Sequence, residues 1–259
     1  MPKFAANLTM LYNEVDFLDR FEAAAKAGFS GVEYLFPYPF AKAELAERLQ
    51  QFGLTQVLHN LPAGDWGDGE RGIACLPDRV TEFQEGVGEA IEYARALGCK
   101  QVNCLAGLAP EGVDVGKVYE TFVSNLKFAA DKLGAEGIRL LIEPINTRDI
   151  PGFYLTGTRQ ALDVIAASGS DNIALQYDIY HMQIMEGDLA MTIKDNLPRI
   201  EHMQLADNPG RNEPGTGEID YPFLFGFIDN LGYEGWIGCE YKPATTTDEG
   251  MGWVKPYLA

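Results

Sequence analysis

Four polar residues close short apolar runs in the second half of the chain: Glu143 in LLIEP, Asp178 in ALQYD, Gln204 in HMQLAD and Glu240 in WIGCEYKP. A carboxylate or amide at the end of a buried strand is costly unless something pairs with it. The four recur at about the length of one strand-plus-helix unit, roughly 30 residues. Parallel neighbouring strands would bring them to one mouth. Three carboxylates and an amide oxygen form a hard, all-oxygen set that suits Mg²⁺ or Mn²⁺ better than Zn²⁺. Without a cation the three negative charges repel one another. A cation there has positions left for a substrate's adjacent carbonyl and hydroxyl oxygens, and would polarise the carbonyl as a Lewis acid. Shifting a carbonyl to the neighbouring carbon takes a proton from one carbon and returns it to the other. Carboxylates of tuned pKa can do this, and Glu143 and Glu240, flanking the set, are the candidates. The chemistry indicated is aldose–ketose-type isomerisation or epimerisation.

The elements that must position these residues alternate along the chain. Strands are predicted at residues 4–8, 31–36, 55–60, 101–106, 139–145, 173–179, 202–207 and 236–241. Helical patterns fill 16–27, 41–52, 79–97, 116–133, 158–168, 189–196 and 221–231. Gly28, Gly53, Gly98 and Gly232 follow four of these helices, where a left-handed residue is expected; Thr158 and Asp188 occupy plausible N-caps. Strand–helix alternation implies a parallel sheet with helical crossovers. Eight strands in 259 residues favour closure into a (β/α)₈ TIM barrel, an α/β fold of typically ~250 residues. No linker or charge block divides the chain, so one domain spans 1–259. The first strand–helix turn, ANLTMLYNEV, lacks the glycines that cradle a dinucleotide.

Two strand–helix loops exceed the usual two to six residues: 61–78, LPAGDWGDGERGIACLPD, and 208–220, NPGRNEPGTGEID. Long loops at the C-terminal face of a barrel commonly build or cover a site. They carry Arg71 and Arg211, which with Lys242 could bind an anionic group. His181, three residues after Asp178, could donate to a substrate oxygen. His59, at the end of strand three, is placed to reach the mouth, whereas His202, at the start of strand seven, is expected to be structural. Tyr12, Phe36, Tyr38 and Trp66 lie in early loops and could wall the pocket.

The formal net charge is −18, which repels phosphate backbones and argues against nucleic acid as a partner. No apolar stretch approaches the ~20 residues of a membrane span, and the opening MPKFAANLTM lacks the apolar core of a secretory signal. A cytoplasmic protein, with no membrane partner, is expected. Cys75, Cys99, Cys104 and Cys239 form no CxxC pair and read as buried reduced thiols. No GxSxG, HExxH or P-loop pattern supports hydrolytic or nucleotide chemistry.

The chain resembles the hydroxypyruvate isomerase family, within the xylose isomerase-like TIM barrels. The resemblance runs through FAANLTML, GVEYLFPY, HNLPAGDWGDGERGIACLP, LLIEPIN, DIPGFYLTGTRQAL, QYDIYHMQ, ADNPGRNEPGTGEIDY and GCEYKP. It implies interconversion of hydroxypyruvate and 2-hydroxy-3-oxopropanoate (tartronate semialdehyde), with Glu143 and Glu240 as proton donor and acceptor. It implies a divalent metal on Glu143, Asp178, Gln204 and Glu240, and substrate contacts by His181 and Arg211. A small hydroxy-keto acid would be the partner, in glyoxylate- or allantoin-related metabolism; a homo-oligomer is left open. The competing readings are a 2-oxo-tetronate isomerase or small-ketose epimerase, a metal-dependent endonuclease on the same scaffold, and a non-catalytic sugar-acid binding module.

Overall fold

Helix formation follows apolar stripes at three- and four-residue spacing. In α3 (Val80–Leu97), Phe83, Val87, Ala90, Ala94 and Leu97 are buried on one face. In α4 (Val115–Gly134), Val118, Phe122, Leu126, Ala129 and Leu133 do the same. The other helices are α1 (Arg20–Ala27), α2 (Lys42–Phe52), α5 (Thr158–Ser168), α6 (Ile179–Met185), α7 (Leu189–Asn196) and α8 (Tyr221–Asn230). Gly28 and Gly98 end α1 and α3 at φ of 100° and 66°, a region that favours a residue without a Cβ. The expected cap at Thr158 is displaced by one: Gly157 is the N-cap of α5, and the Thr158 N–H donates to Glu186 Oε1 at 2.6 Å.

In this computed structural model, which describes residues 1–258, eight parallel strands close into a barrel in sequence order. They are β1 (Lys3–Asn7), β2 (Gly31–Glu33), β3 (Thr55–Asn60), β4 (Gln101–Cys104), β5 (Arg139–Ile142), β6 (Ile173–Asp178), β7 (Ile200–Leu205) and β8 (Trp236–Cys239). Closure pairs Phe4 of β1 with Ile237 of β8. The (β/α)₈ TIM barrel expected from the sequence is the fold observed. The barrel interior is filled by Ala5, Val57, Leu58, Leu141 and Ala174 against Trp236, while the larger apolar layer lies between strands and helices.

Strand ends moved where the backbone leaves the ladder for a loop. β2 stops at Glu33, β5 at Ile142 and β8 at Cys239, so Glu143 and Glu240 stand one residue past their strands. β6 ends at Asp178 because that side chain caps α6, a helix the sequence reading did not anticipate. Asp178 Oδ1 accepts from the N–H groups of Tyr180 (2.7 Å) and His181 (3.1 Å), a cap worth about 1 kcal/mol. The loop after β7 is pinned by Asp207, which accepts from the N–H groups of Gly215, Gly217 and Ile219. Gly217 is required there: a Cβ would fall 2.0 Å from the Asn208 carbonyl oxygen. All four cysteines are free and buried, as expected. No helix among the described residues is long and apolar enough to cross a membrane.

Candidate active site

Glu143, Asp178 and Glu240 converge at the C-terminal mouth of the barrel, as the strand-end pattern demanded. Each offers an oxygen, and His181 a ring nitrogen, with the four atoms all within 4.8 Å of one another and all four residues buried. His181 reaches this cluster from the first turn of α6, its Nε2 3.9 Å from Glu143 Oε1 and 3.7 Å from Asp178 Oδ2. Asn146 Nδ2 lies 2.6 Å from the other ring nitrogen, Nδ1; an amide donor there assigns the proton to Nε2, facing the carboxylates. The cluster opens into a cavity of about 580 Å³ lined also by Asn7, Asn60, Trp66 and Asp149.

Electrostatics in the cluster are under tension. Burial raises the Glu143 pKa well above the usual range, and the charges of Glu240 and Asp178 raise it further. Burial likewise lifts Glu240 to about 8, although Arg211 opposes the rise. Asp178 is raised by burial and held back by Arg211 and the two capping N–H groups. Burial, followed by Arg211, pushes His181 well below 6.5, so its ring is neutral. Asp178 Oδ2 has no hydrogen-bond partner, and a buried orphan oxygen is expensive. Three raised carboxylates and one orphaned oxygen within a few ångströms suit a divalent cation.

Gln204 occupies the mouth in an orientation the sequence did not reveal. Its Oε1 accepts from Gln176 Nε2 at 2.6 Å, and its Nε2 donates to Glu33 Oε1 at 2.7 Å and more weakly to Glu240 Oε1 at 3.4 Å. The hydrogen bond from Gln176 uses one of the two lone pairs of the amide oxygen. The reason for the orientation is Glu33, a carboxylate the sequence reading passed over, which faces the amide and demands a donor.

His59 does not reach the mouth, contrary to expectation. Side chains alternate across a strand. Asn60 and its register partner Asn103 face inward, where Asn103 Nδ2 donates to Asn60 Oδ1 and Glu143 Oε2. His59 therefore points outward with Val102, completely buried beside the Tyr38 ring. Neither of its ring nitrogens has a partner in hydrogen-bonding geometry, and burial, slightly offset by the Ala90 backbone, lowers its pKa to about 4. Of the four expected aromatics, only Trp66 lines the cavity.

Arg211, Arg71 and Lys242 all border the cavity, in different circumstances. Arg211, at φ 56° in the pinned loop, donates from Nη2 to Glu240 Oε2 at 2.7 Å. Its Nη1 lies 3.5 Å from Asp149, and its guanidinium stacks over Tyr180. Arg71 lies over the Trp66 ring at 4.3 Å and donates to the backbone oxygens of Trp66 and Glu70. Lys242 is exposed at the rim. Asn7, Asn103 and Asp149 were not anticipated; Asn7, a polar residue near the end of a strand-like run, carried the same signal that marked Glu143, whereas Asn103 stands inside the run 101–106.

A model of the xylose isomerase-like TIM barrel matches residues 21–257. The chain belongs to that family. It is 57% identical over 257 residues to the hydroxypyruvate isomerase of Escherichia coli K12, covering 99% of this chain and all of the relative. It is 50% identical over 258 residues to the 2-oxo-tetronate isomerase of Cupriavidus necator, covering 100% and 99%. Among solved structures, an AP endonuclease, family 2, from Brucella melitensis is 46% identical, with a TM-score of 0.97 over 99% of both chains. Within the family, this chain falls in the isomerase group that holds the first two relatives.

Proposed function

We propose that this isomerase interconverts hydroxypyruvate and 2-hydroxy-3-oxopropanoate, with Glu143 and Glu240 as the two proton carriers. One glutamate removes a proton from the hydroxymethyl carbon of hydroxypyruvate. The carbonyl oxygen gains a proton as the enediol forms, the hydroxymethyl oxygen gives one up, and the other glutamate delivers a proton to the former carbonyl carbon. The observation that carries this reading is the pair of buried glutamates, Glu143 and Glu240, that meet on one cavity; burial also opposes their ionisation. Such carboxyls exchange protons near neutral pH, where ordinary ones stay ionised. Hydroxypyruvate is favoured over longer acids by the 57% identity to the Escherichia coli enzyme.

A divalent cation, Mg²⁺ or Mn²⁺, would be held by Glu143, Asp178, Glu240 and the amide oxygen of Gln204. When bound it supplies Lewis-acid polarisation of the substrate carbonyl. His181, neutral and fixed by Asn146, donates from Nε2 toward the substrate oxygens. We assign the substrate carboxylate to Arg71, with Lys242 at the rim. Arg71 has no carboxylate within 4.0 Å among the described residues, whereas Arg211 already faces Glu240 and Asp149. Arg211 forms the wall beside the reacting carbons and holds Glu240.

A second reading, isomerisation of a four-carbon 2-oxo-tetronate, is favoured by the 50% identity to the Cupriavidus relative. An endonuclease reading has less support: net charge is −18, and His181 is the one histidine lining the cavity. Solvent-deuterium incorporation, screened across hydroxypyruvate, 2-oxo-tetronates and small ketoses, tests the choice. Hydroxypyruvate should give the highest kcat/KM; a higher value for a 2-oxo-tetronate selects the second reading, and no exchange with any of them refutes both.

A further inference from the structure

Glu33 ends β2 inside the barrel, buried to 1% exposure and outside the cluster of Glu143, Asp178, His181 and Glu240. Three donors converge on it. Oε1 accepts from Asn7 Nδ2 at 2.9 Å and Gln204 Nε2 at 2.7 Å, and Oε2 accepts from His202 Nε2 at 2.7 Å. A carboxylate is an acceptor-only group and can satisfy all three; an amide in its place cannot. His202, expected to be merely structural, is thus part of the support for the site. The neighbouring strand makes room for this arrangement: a Cβ on Gly238 would fall 2.2 Å from Glu33 Oε1.

The two amides that Glu33 orients have a second neighbour in common. Asn7 Nδ2 and Gln204 Nε2 lie 3.3 and 3.4 Å from Glu240 Oε1. On the opposite side Arg211 Nη2 holds Glu240 Oε2. Glu143 makes no hydrogen bond to this network, although it lies near Glu240 in the cluster; its hydrogen-bond donor is Asn103, from β4.

We propose that Glu33 is a positioning residue for Glu240: it fixes Asn7 and Gln204 so that their N–H groups aim the Glu240 carboxylate into the cavity. The proposal rests on the two-glutamate reading above and makes it asymmetric. With divalent cation saturating, loss of Glu33 impairs the proton transfer served by Glu240 and spares the one served by Glu143. A misplacement of about 1 Å in a reacting group can cost on the order of 10²-fold in rate.

The test is Glu33→Gln, with interconversion and solvent-deuterium exchange into unconverted substrate measured from both directions. The expected result is a fall in kcat of about 10- to 100-fold with little change in KM. The ratio of exchange to conversion should rise about tenfold or more from one starting substrate only, because that substrate is enolised normally and then reprotonated where it began. A merely structural defect lowers exchange and conversion together; an unchanged ratio, or kcat near wild type, overturns the proposal. If Glu33→Gln does not fold, Asn7→Ala removes one of the two shared donors and must shift the ratio for the same kind of one-sided reason. An unchanged ratio there overturns the proposal equally. Wild-type protein that exchanges neither acid refutes the two-glutamate reading itself, and the proposal with it.

Discussion

Replacing His59 by leucine tests whether this histidine faces the helices or the substrate. The imidazole is fully buried, both ring nitrogens lack partners, and its pKa is lowered from 6.5 to about 4. Between those values the unfolded chain binds a proton that the folded protein refuses. Stability therefore rises with pH across this window; it is complete above 6.5 and lost as pH falls toward 4. At ~1.4 kcal/mol per unit, the loss attributable to His59 is about 3 kcal/mol. Leucine has a similar volume and no proton to bind, so the variant escapes this loss. At pH 8 it also removes unsatisfied buried polar atoms, each costing about 1–3 kcal/mol, and should be at least as stable as wild type. Urea unfolding of both proteins from pH 4.5 to 8 gives the difference, in which the shared titrations cancel. The same preparations should show kcat/KM within about threefold of wild type, since His59 lies behind the strand. A pH profile parallel to wild type, or a large loss of kcat/KM in a folded variant, would refute the reasoning.

Glu143→Gln or Glu240→Gln should each lower interconversion by at least ~10³-fold while circular dichroism and the unfolding midpoint stay near wild type; turnover like wild type in either removes the two-glutamate mechanism. Arg71→Ala should raise KM for hydroxypyruvate by about 10- to 100-fold, the worth of one charge-assisted hydrogen bond, and leave KM for a neutral ketose unchanged; equal effects on both reject the carboxylate assignment. Stripping divalent cations with a chelator should abolish activity, and the stability of the metal-free protein should fall relative to that of metal-free Glu240→Gln as pH rises from 4.5 to about 8, the other titrations cancelling in the difference. Folded Glu240, its pKa lifted to about 8, keeps a proton through that window which the unfolded chain has released. Mn²⁺ should restore both; full activity with no metal found by elemental analysis counts against the cation.

The barrel and the carboxylates at its rim were legible because they follow from periodicity and from the cost of buried charge. LLIEP, ALQYD and WIGCEYKP each break an apolar run with a carboxylate, and all three carboxylates meet in the structure. The same logic applied to GVEYLF would have found Glu33, which was absorbed instead into a strand drawn three residues too long. His59 failed on parity. HisAsn ends β3 with two polar residues, and only the register with Asn103 shows that the second, Asn60, faces inward. Gln204 was correctly placed but its amide orientation depends on Glu33 and Gln176, contacts remote in sequence. Short α6 was hidden because the apolar run IYHMQIM continues the strand without a glycine or proline between them; Asp178 acting as a cap was its only local mark.

The two glutamates stand in unlike surroundings, and that difference bears on how they divide the proposed reaction. Burial opposes ionisation of both. Glu143 receives a hydrogen bond from one neutral amide, Asn103, whereas Glu240 receives a guanidinium N–H from Arg211 at 2.7 Å and weaker amide contacts from Asn7 and Gln204. A donor that carries charge stabilises an anion roughly twice as well as a neutral one. Of two mutually repelling carboxyls, the one beside the cation ionises first. In the proposed reaction Glu240 would thereby act as the base for the first proton removed from hydroxypyruvate, and Glu143 as the acid that completes the transfer. Arg211 serves this division only while it remains paired with Glu240. A substrate carboxylate that took Arg211 would weaken the very bias the reaction uses, which is a chemical reason for anion recognition to sit elsewhere, at Arg71 on the Trp66 loop.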